Sequence, residues 1–168
     1  MDKPEIVDPY RGLRYQEPGK TPDDEVCGCE GRPPLMLLAA LDPNPIRCLK
    51  CQGEVPPERL ELPRPLAEGI ANWARLALAI EALWLDSREY EPWAQKELED
   101  PTSPMNVRGR ELRAELETVH RSYYWLHRDI EAEGHLAQCP ICGVQLRAYE
   151  WGMRDALYLC DGCSIVMS

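Results

Sequence analysis

Phenylalanine is missing from all 168 residues, so any core has to be assembled from Leu, Ile, Trp and Tyr. No apolar run approaches the roughly 20 residues that a membrane-spanning helix needs. The amino-terminal stretch MDKPEIVDPYRG lacks the basic end and apolar run of a secretory signal, which leads us to expect a cytoplasmic protein. Basic residues are scarce: 19 Lys and Arg stand against 29 Asp and Glu, giving a net charge of −10 and a pI near 4.8. That balance argues against a broad electrostatic grip on phosphate backbones, so a nucleic-acid reading would need a local basic surface. Also lacking are a Gly-rich phosphate loop, a nucleophile elbow and a metalloprotease helix. The acids of DSREYEPWAQKELED, Asp86 to Asp100, read as a solvated face rather than an acid/base pair. No catalytic residue is assigned, and the chain is read as a non-enzyme.

What is present is eight cysteines among 16 prolines and 11 glycines. In a reducing compartment paired cysteine spacing points to metal or redox chemistry rather than structural disulfides. Cys139-Pro-Ile-Cys142-Gly143 and Cys160-Asp-Gly-Cys163 are two Cys-x-x-Cys knuckles with 17 residues between the inner pair. Gly143 suits the positive φ that follows such a knuckle. The spacer VQLRAYEWGMRDALYL has strand-like runs on either side of Gly152, and a short hairpin there would bring the second knuckle back to the first. Four thiolates favour a tetrahedral zinc ribbon. A dithiol redox pair would want a βαβ setting that is not visible here, and an iron-sulfur cluster remains the alternative metal centre.

Cys27-Gly-Cys29 and Cys48-Leu-Lys-Cys51, separated by 18 residues, make a second candidate zinc set. Its first half has one intervening residue instead of two, a tight approach that we ascribe to Gly28. Two structural zinc ions are therefore expected, held by Cys27, Cys29, Cys48, Cys51 and by Cys139, Cys142, Cys160, Cys163. Closed four-thiolate shells leave no position for a catalytic water. His120 and His127, seven residues apart and read as lying on one helix, and His135 are given no metal role.

Between the cysteine units the pattern is helical. Leu66, Ile70, Trp73, Ala77, Ile80 and Trp84 step by 4 and 3, and Leu112, Leu116, Val119, Tyr123, Leu126 and Ile130 repeat the same steps. Pro92, Pro101 and Pro104 interrupt the connection. The first long helix should end near Tyr90, a short one should follow, and Ser103 should cap the next. The expected organisation is an extended arm over 1–25, an amino-terminal zinc module over 26–65, an antiparallel helical hairpin over 66–135 and a carboxyl-terminal ribbon over 136–168. The fold class is small, zinc-stabilised α+β, with the hairpin flanked by two ribbon-like modules. A coiled-coil dimer seam is the less common use of such stripes.

Residues 65–107 hold eight acids and three bases, while residues 108–135 hold five arginines and six acids. Arg108, Arg110 and Arg113 cluster at one end, as a salt-bridged surface or as a local phosphate site. Trp73, Trp84 and Tyr123 read as core, and Tyr124 and Trp125 as candidates to face a partner.

The run LWLDSREYEPWAQKELEDPTSPMNVRGREL, then SYYWLHRD, then CPICG and CDGCSIVMS, resembles a family of uncharacterised bacterial proteins described as zinc-ribbon-containing and possibly nucleic-acid-binding. The likeness covers about residues 66–168 and implies a helical segment before a ribbon whose ligands match Cys139, Cys142, Cys160 and Cys163. The Cys-rich unit of the amino-terminal third has no counterpart in it. The expectation is thus a non-enzymatic zinc protein that binds another macromolecule, a protein by preference, with nucleic-acid binding through the arginines or the knuckle edges as the alternative and no membrane partner.

Overall fold

The computed structural model describes residues 8, 10–13, 21–39, 44–128, 137–149 and 157–168. Its elements are β1 (Leu35–Leu37), β2 (Ile46–Cys48), α1 (Arg64–Asp86), α2 (Glu91–Glu99), α3 (Pro104–Glu117), β3 (Ser122–Trp125), β4 (Arg147–Tyr149), β5 (Leu157–Cys160) and β6 (Ile165–Met167), with short 3₁₀ turns at Arg11–Leu13 and Pro57–Arg59. The class is α+β. No helix among the described residues is long and apolar enough to cross a membrane.

The helices follow their local signals. On α1 the stripe Leu66, Ile70, Trp73, Ala77 and Ile80 is buried, as a 3.6-residue period requires. The helix stops at Asp86, where the Ser87 N–H reaches back to the Leu83 carbonyl at 3.2 Å and Arg88 turns into the left-handed region at φ 55°. Pro92 sits in the first turn of α2, where its missing N–H costs nothing. Ser103 caps α3: its hydroxyl accepts from the Asn106 N–H at 3.2 Å, and Pro104 opens the helix.

The second apolar stripe is where the helical hairpin expectation over 66–135 fails. Leu112 and Leu116 are buried on α3, but that helix ends at Glu117, and Tyr123 belongs to a strand. Ser122, Tyr123 and Tyr124 are all buried, because β3 lies in the middle of a sheet and is covered on both faces. A strand apolar on both sides satisfies any period, so the 4-3-4 spacing carried no helix information past Glu117. The aromatic residues of Ser-Tyr-Tyr-Trp also favour extended backbone. His120 and His127 consequently do not share a helix. Ile130 and His135 lie outside the described residues.

One six-stranded sheet, ordered β2-β1-β3-β6-β5-β4, takes strands from both cysteine units. β3 runs parallel to β1 and to β6, and the other neighbours are antiparallel. The cysteine units are therefore joined edge to edge through β3, and the sheet crosses the boundaries drawn at 65 and 135. On one face Leu35, Leu37, Ile46, Tyr124, Ile165 and Met167 share a core with the helices. Tyr124 meets Trp73 edge-on at 5.8 Å between centroids, and its hydroxyl donates to Asn106 Oδ1 at 2.7 Å. Gly109 lets α3 come this close, since a Cβ there would lie 2.9 Å from Trp73 Nε1 and collide with the Tyr124 ring. On the other face Met36, Tyr123, Leu157, Leu159 and Val166 form a second buried cluster.

Most of the arm expected over 1–25 lies outside the described residues. The part described is docked: Leu13 is buried, Gly12 abuts Ala71 of α1, and Tyr10 donates to the Leu62 carbonyl at 3.3 Å.

Candidate metal centres

In the carboxyl-terminal unit β4 and β5 pair antiparallel, Arg147 with Leu159 and Tyr149 with Leu157, while the turn expected at Gly152 lies outside the described residues. β5 ends on Cys160, and the chain turns through the second knuckle into β6, which pairs back with Cys160 opposite Ile165. The first knuckle closes when the Gly143 N–H donates to the Cys139 carbonyl at 2.8 Å, with Gly143 at φ 72°. The four sulfurs of Cys139, Cys142, Cys160 and Cys163 lie within 4.8 Å of one another.

The amino-terminal unit brings Cys27, Cys29, Cys48 and Cys51 within the same limit. β2 ends on Cys48, and the knuckle closes through the Gln52 N–H to the Cys48 carbonyl at 2.7 Å, with Gln52 at φ 58°. Residues 53–55 return beside β2, bonding Cys48 N to the Gly53 carbonyl and Val55 N to the Ile46 carbonyl. The segment carrying Cys27 then pairs with the same return: Cys27 N donates to the Glu54 carbonyl and Glu54 N to the Glu25 carbonyl, both at 2.8 Å. Gly53 permits that approach, since a Cβ would stand 2.7 Å from the Cys27 nitrogen. Gly28 does not have the part ascribed to it: its φ is not positive, and a Cβ there would meet nothing within 4 Å.

All eight cysteines are free thiols. Sulfur separations of 3.6 Å for Cys142 to Cys160 and 4.0 Å for Cys29 to Cys48 are far beyond the ~2.05 Å of a disulfide. They bracket the edge of about 3.8 Å that a tetrahedron with metal–sulfur bonds of ~2.3 Å would have. Each donor set therefore fits a tetrahedral four-thiolate centre and can hold a metal ion.

Electrostatics in the two sets is similar. Burial pushes Cys48 up to about 12 and also raises Cys51. At Cys27 burial acts the same way, but the Cys29 backbone and neighbouring thiols outweigh it and the pKa falls. In the other set burial raises Cys160 and Cys163, whereas hydrogen bonds from the Val144 backbone and the Cys163 thiol draw Cys142 down to about 7. A divalent cation placed among thiols favours their ionised form.

Beside the carboxyl-terminal centre, Asp161 of the knuckle accepts from Arg147 Nε at 3.1 Å and from the Tyr123 hydroxyl at 2.8 Å, while Arg121 donates to that hydroxyl at 2.8 Å. The hydrogen bonds from Arg147, then Tyr123, hold its carboxyl below the ordinary value. This bracket ties the knuckle to β3 and β4.

The other candidate residues fall differently. Arg108 pairs with Glu111 at 3.0 Å, Arg113 with Glu117 at 3.5 Å, and Arg110 donates to the Pro101 carbonyl at 2.9 Å. Arg108 and Arg113 are ion-paired and Arg110 is bonded to a backbone carbonyl, so all three are engaged within the chain. Tyr124 is 1% exposed and committed to Asn106, so the expectation that it faces a partner is corrected. Trp125 is half-buried against the second cluster. His120 is buried with Nε2 3.0 Å from the Leu60 carbonyl, and His127 packs edge-on against Trp84 at 5.0 Å. Sequence reasoning missed Gly53, Asp161 and Arg59, whose guanidinium donates to the Cys27 and Cys29 carbonyls at 2.6 and 2.7 Å; only Asp161, lying inside a knuckle, was in plain sight. Comparison with protein-family models, with curated proteins and with solved structures gives no match for this chain.

Proposed function

We propose that the protein is a non-enzymatic zinc protein whose two centres are structural and whose helical layer docks a protein partner. The observation that carries this reading is that two complete four-thiol sets converge on one sheet. Zinc suits them because four thiolates in a tetrahedron are its preferred structural shell. The metal would supply a cross-link between two chain segments and no reactive position.

A surface for the partner is supported at the corner of α1 and α2. Leu85, Tyr90 and Trp93 are 54, 57 and 49% exposed there. Over residues 84–100 the acids Asp86, Glu89, Glu91, Glu97, Glu99 and Asp100 stand against Arg88 and Lys96, six against two, a net of −4. Exposed aromatic residues ringed by one sign of charge suit a basic protein surface with an apolar anchor. The engaged arginines of α3 support a protein over a nucleic acid.

Native mass spectrometry with elemental analysis tests the metal: two zinc ions per chain are expected, and no bound metal, or iron with visible absorption, overturns that part. Affinity capture with and without nuclease tests the partner. A basic protein retained after nuclease and lost in Tyr90→Ala/Trp93→Ala is expected; partners lost on nuclease treatment overturn the reading in favour of nucleic acid.

A further inference from the structure

Three of the four half-sites position their sulfurs by the same local device. Gln52, Gly143 and Ser164 each follow the second cysteine of a Cys-x-x-Cys pair, and each has a positive φ, 58°, 72° and 50°. In two of them a closing bond to the carbonyl of the first cysteine is present, from Gln52 at 2.7 Å and from Gly143 at 2.8 Å. Cys27-Gly28-Cys29 has no room for such a turn. One intervening residue cannot close it, and Gly28 is neither in the left-handed region nor crowded. Something outside the segment has to fix the separation and direction of its two sulfurs.

Arg59 is placed to do so. Its Nη1 donates to the Cys27 carbonyl at 2.6 Å and its Nη2 to the Cys29 carbonyl at 2.7 Å. A guanidinium is a rigid planar fork, so two donors from one group hold two carbonyls at a set spacing, which a flexible point charge such as lysine cannot do. Holding both carbonyls restrains the backbone on either side of Gly28, and with it both Cα–Cβ directions. Arg59 is itself anchored. It closes the 3₁₀ turn Pro57–Arg59 with its N–H on the Pro56 carbonyl at 3.0 Å, and the next residue, Leu60, is buried. His120, just beyond α3, donates from Nε2 to the Leu60 carbonyl at 3.0 Å. The fork is thereby referenced to the helical layer rather than to the loop it holds.

We propose that Arg59 is a positioning residue of the amino-terminal metal centre, replacing with its side chain the knuckle that Cys27-Gly28-Cys29 lacks. This rests on the zinc reading above. Its charge also stands beside a centre that four thiolates and a divalent ion would leave formally at −2. At the carboxyl-terminal centre the nearby arginines 121 and 147 are turned to Asp161 and Tyr123, so the two sites differ in this respect. Outer groups that orient metal ligands typically change affinity by about 10- to 100-fold when removed.

The test is differential alkylation of the metal-loaded protein by N-ethylmaleimide during challenge with a chelator, read by peptide mass spectrometry so that each cysteine set is followed separately. In Arg59→Ala, Cys27, Cys29, Cys48 and Cys51 should lose protection about tenfold faster or more, with Cys139, Cys142, Cys160 and Cys163 within twofold of wild type. Arg59→Lys, which keeps the charge but not the fork, should remain closer to Arg59→Ala than to wild type. Millimolar methylguanidinium should restore protection to Arg59→Ala where methylammonium does not. Unchanged protection of the first set, equal loss in both sets, or a lysine variant equal to wild type each overturns the proposal. A wild-type chain that carries no metal at all would instead sink the zinc reading, so the two failures are distinguishable.

Discussion

The two cysteine units share half a plan and differ in the other half. In both, a strand ends on the first cysteine of a knuckle, and the chain returns beside that strand after a positive-φ residue. The register is the same: the residue before the first cysteine faces the residue three after the second, Arg47 opposite Glu54 and Leu159 opposite Val166. The other halves diverge. Gln138 pairs antiparallel with Gln145 around a regular knuckle, whereas Val26 pairs parallel with Glu54 and leads into Cys27-Gly28-Cys29. The units also dock differently, one offering its hairpin strand β1 to β3 and the other its return strand β6. One second half-site thus tolerates two first half-sites, and what the backbone turn does at one end a distant side chain does at the other.

The largest effect should come from removing both metals. Structural zinc contributes apparent free energies of about 10 to 16 kcal/mol in small peptides, as much as the whole ~5 to 15 kcal/mol of a typical domain. A strong chelator at neutral pH should therefore abolish cooperative unfolding, read by near-ultraviolet circular dichroism and thermal melts. Retained cooperativity would break the comparison by showing that neither centre is structural. The next effect separates one sheet from two independent modules. Because β1 and β6 both bond to β3, Cys163→Ser should speed metal loss from the intact amino-terminal set, by about tenfold if the coupling is near 1.4 kcal/mol. An unchanged rate in that set would mean that the modules act separately despite the shared sheet.

How much of this was legible follows from where each signal resides. Cysteine spacing is local, so both donor sets could be read directly, as could the Ser103 cap, the turn at Gly143 and the antiparallel pairing of β4 with β5. The fate of Ser122 to Trp125 could not, because its partners are Leu35 to Leu37, far earlier in the chain, and Ile165 and Val166. A strand covered on both faces has no period of its own to announce it. Arg59 was invisible for the same reason: nothing in the string places it against the carbonyls of Cys27 and Cys29, about 30 residues back. Gly28 shows the opposite error. It stood between two ligands and invited a role that the backbone does not require.

That error gives a sharp pair of variants within the amino-terminal unit. Gly53→Ala puts a Cβ 2.7 Å from the Cys27 nitrogen and 2.9 Å from its Cα; backbone atoms cannot rotate away, and forced overpacking of this kind costs about 1 to 3 kcal/mol. Gly28→Ala meets open space at an unexceptional φ and should stay within about 0.5 kcal/mol of wild type. Denaturant midpoints of the metal-loaded variants decide it. A harmful Gly28→Ala beside a silent Gly53→Ala would reverse the account of how that half-site is held.

The smallest effects concern the three knuckle-closing residues, which compare the units at matched positions. Gly143 adopts φ 72° without penalty, while Gln52 and Ser164 hold φ 58° and 50° with a Cβ present. A left-handed conformation costs a residue with a Cβ roughly 1 to 2 kcal/mol, so Gly143→Ala should destabilise by about 1 kcal/mol although a Cβ there has free space. Gln52→Gly and Ser164→Gly should recover part of the same quantity. The gain is reduced by the entropy that glycine adds to the unfolded chain, roughly 0.4 to 1 kcal/mol, leaving a net change of only a few tenths. Equal responses at 52 and 164 would mean that the two second half-sites are interchangeable in energy as well as in register. A loss at 52 with a gain at 164 would mean that the Gln52 side chain itself supports the amino-terminal centre, and the likeness between the units would then stop at the backbone.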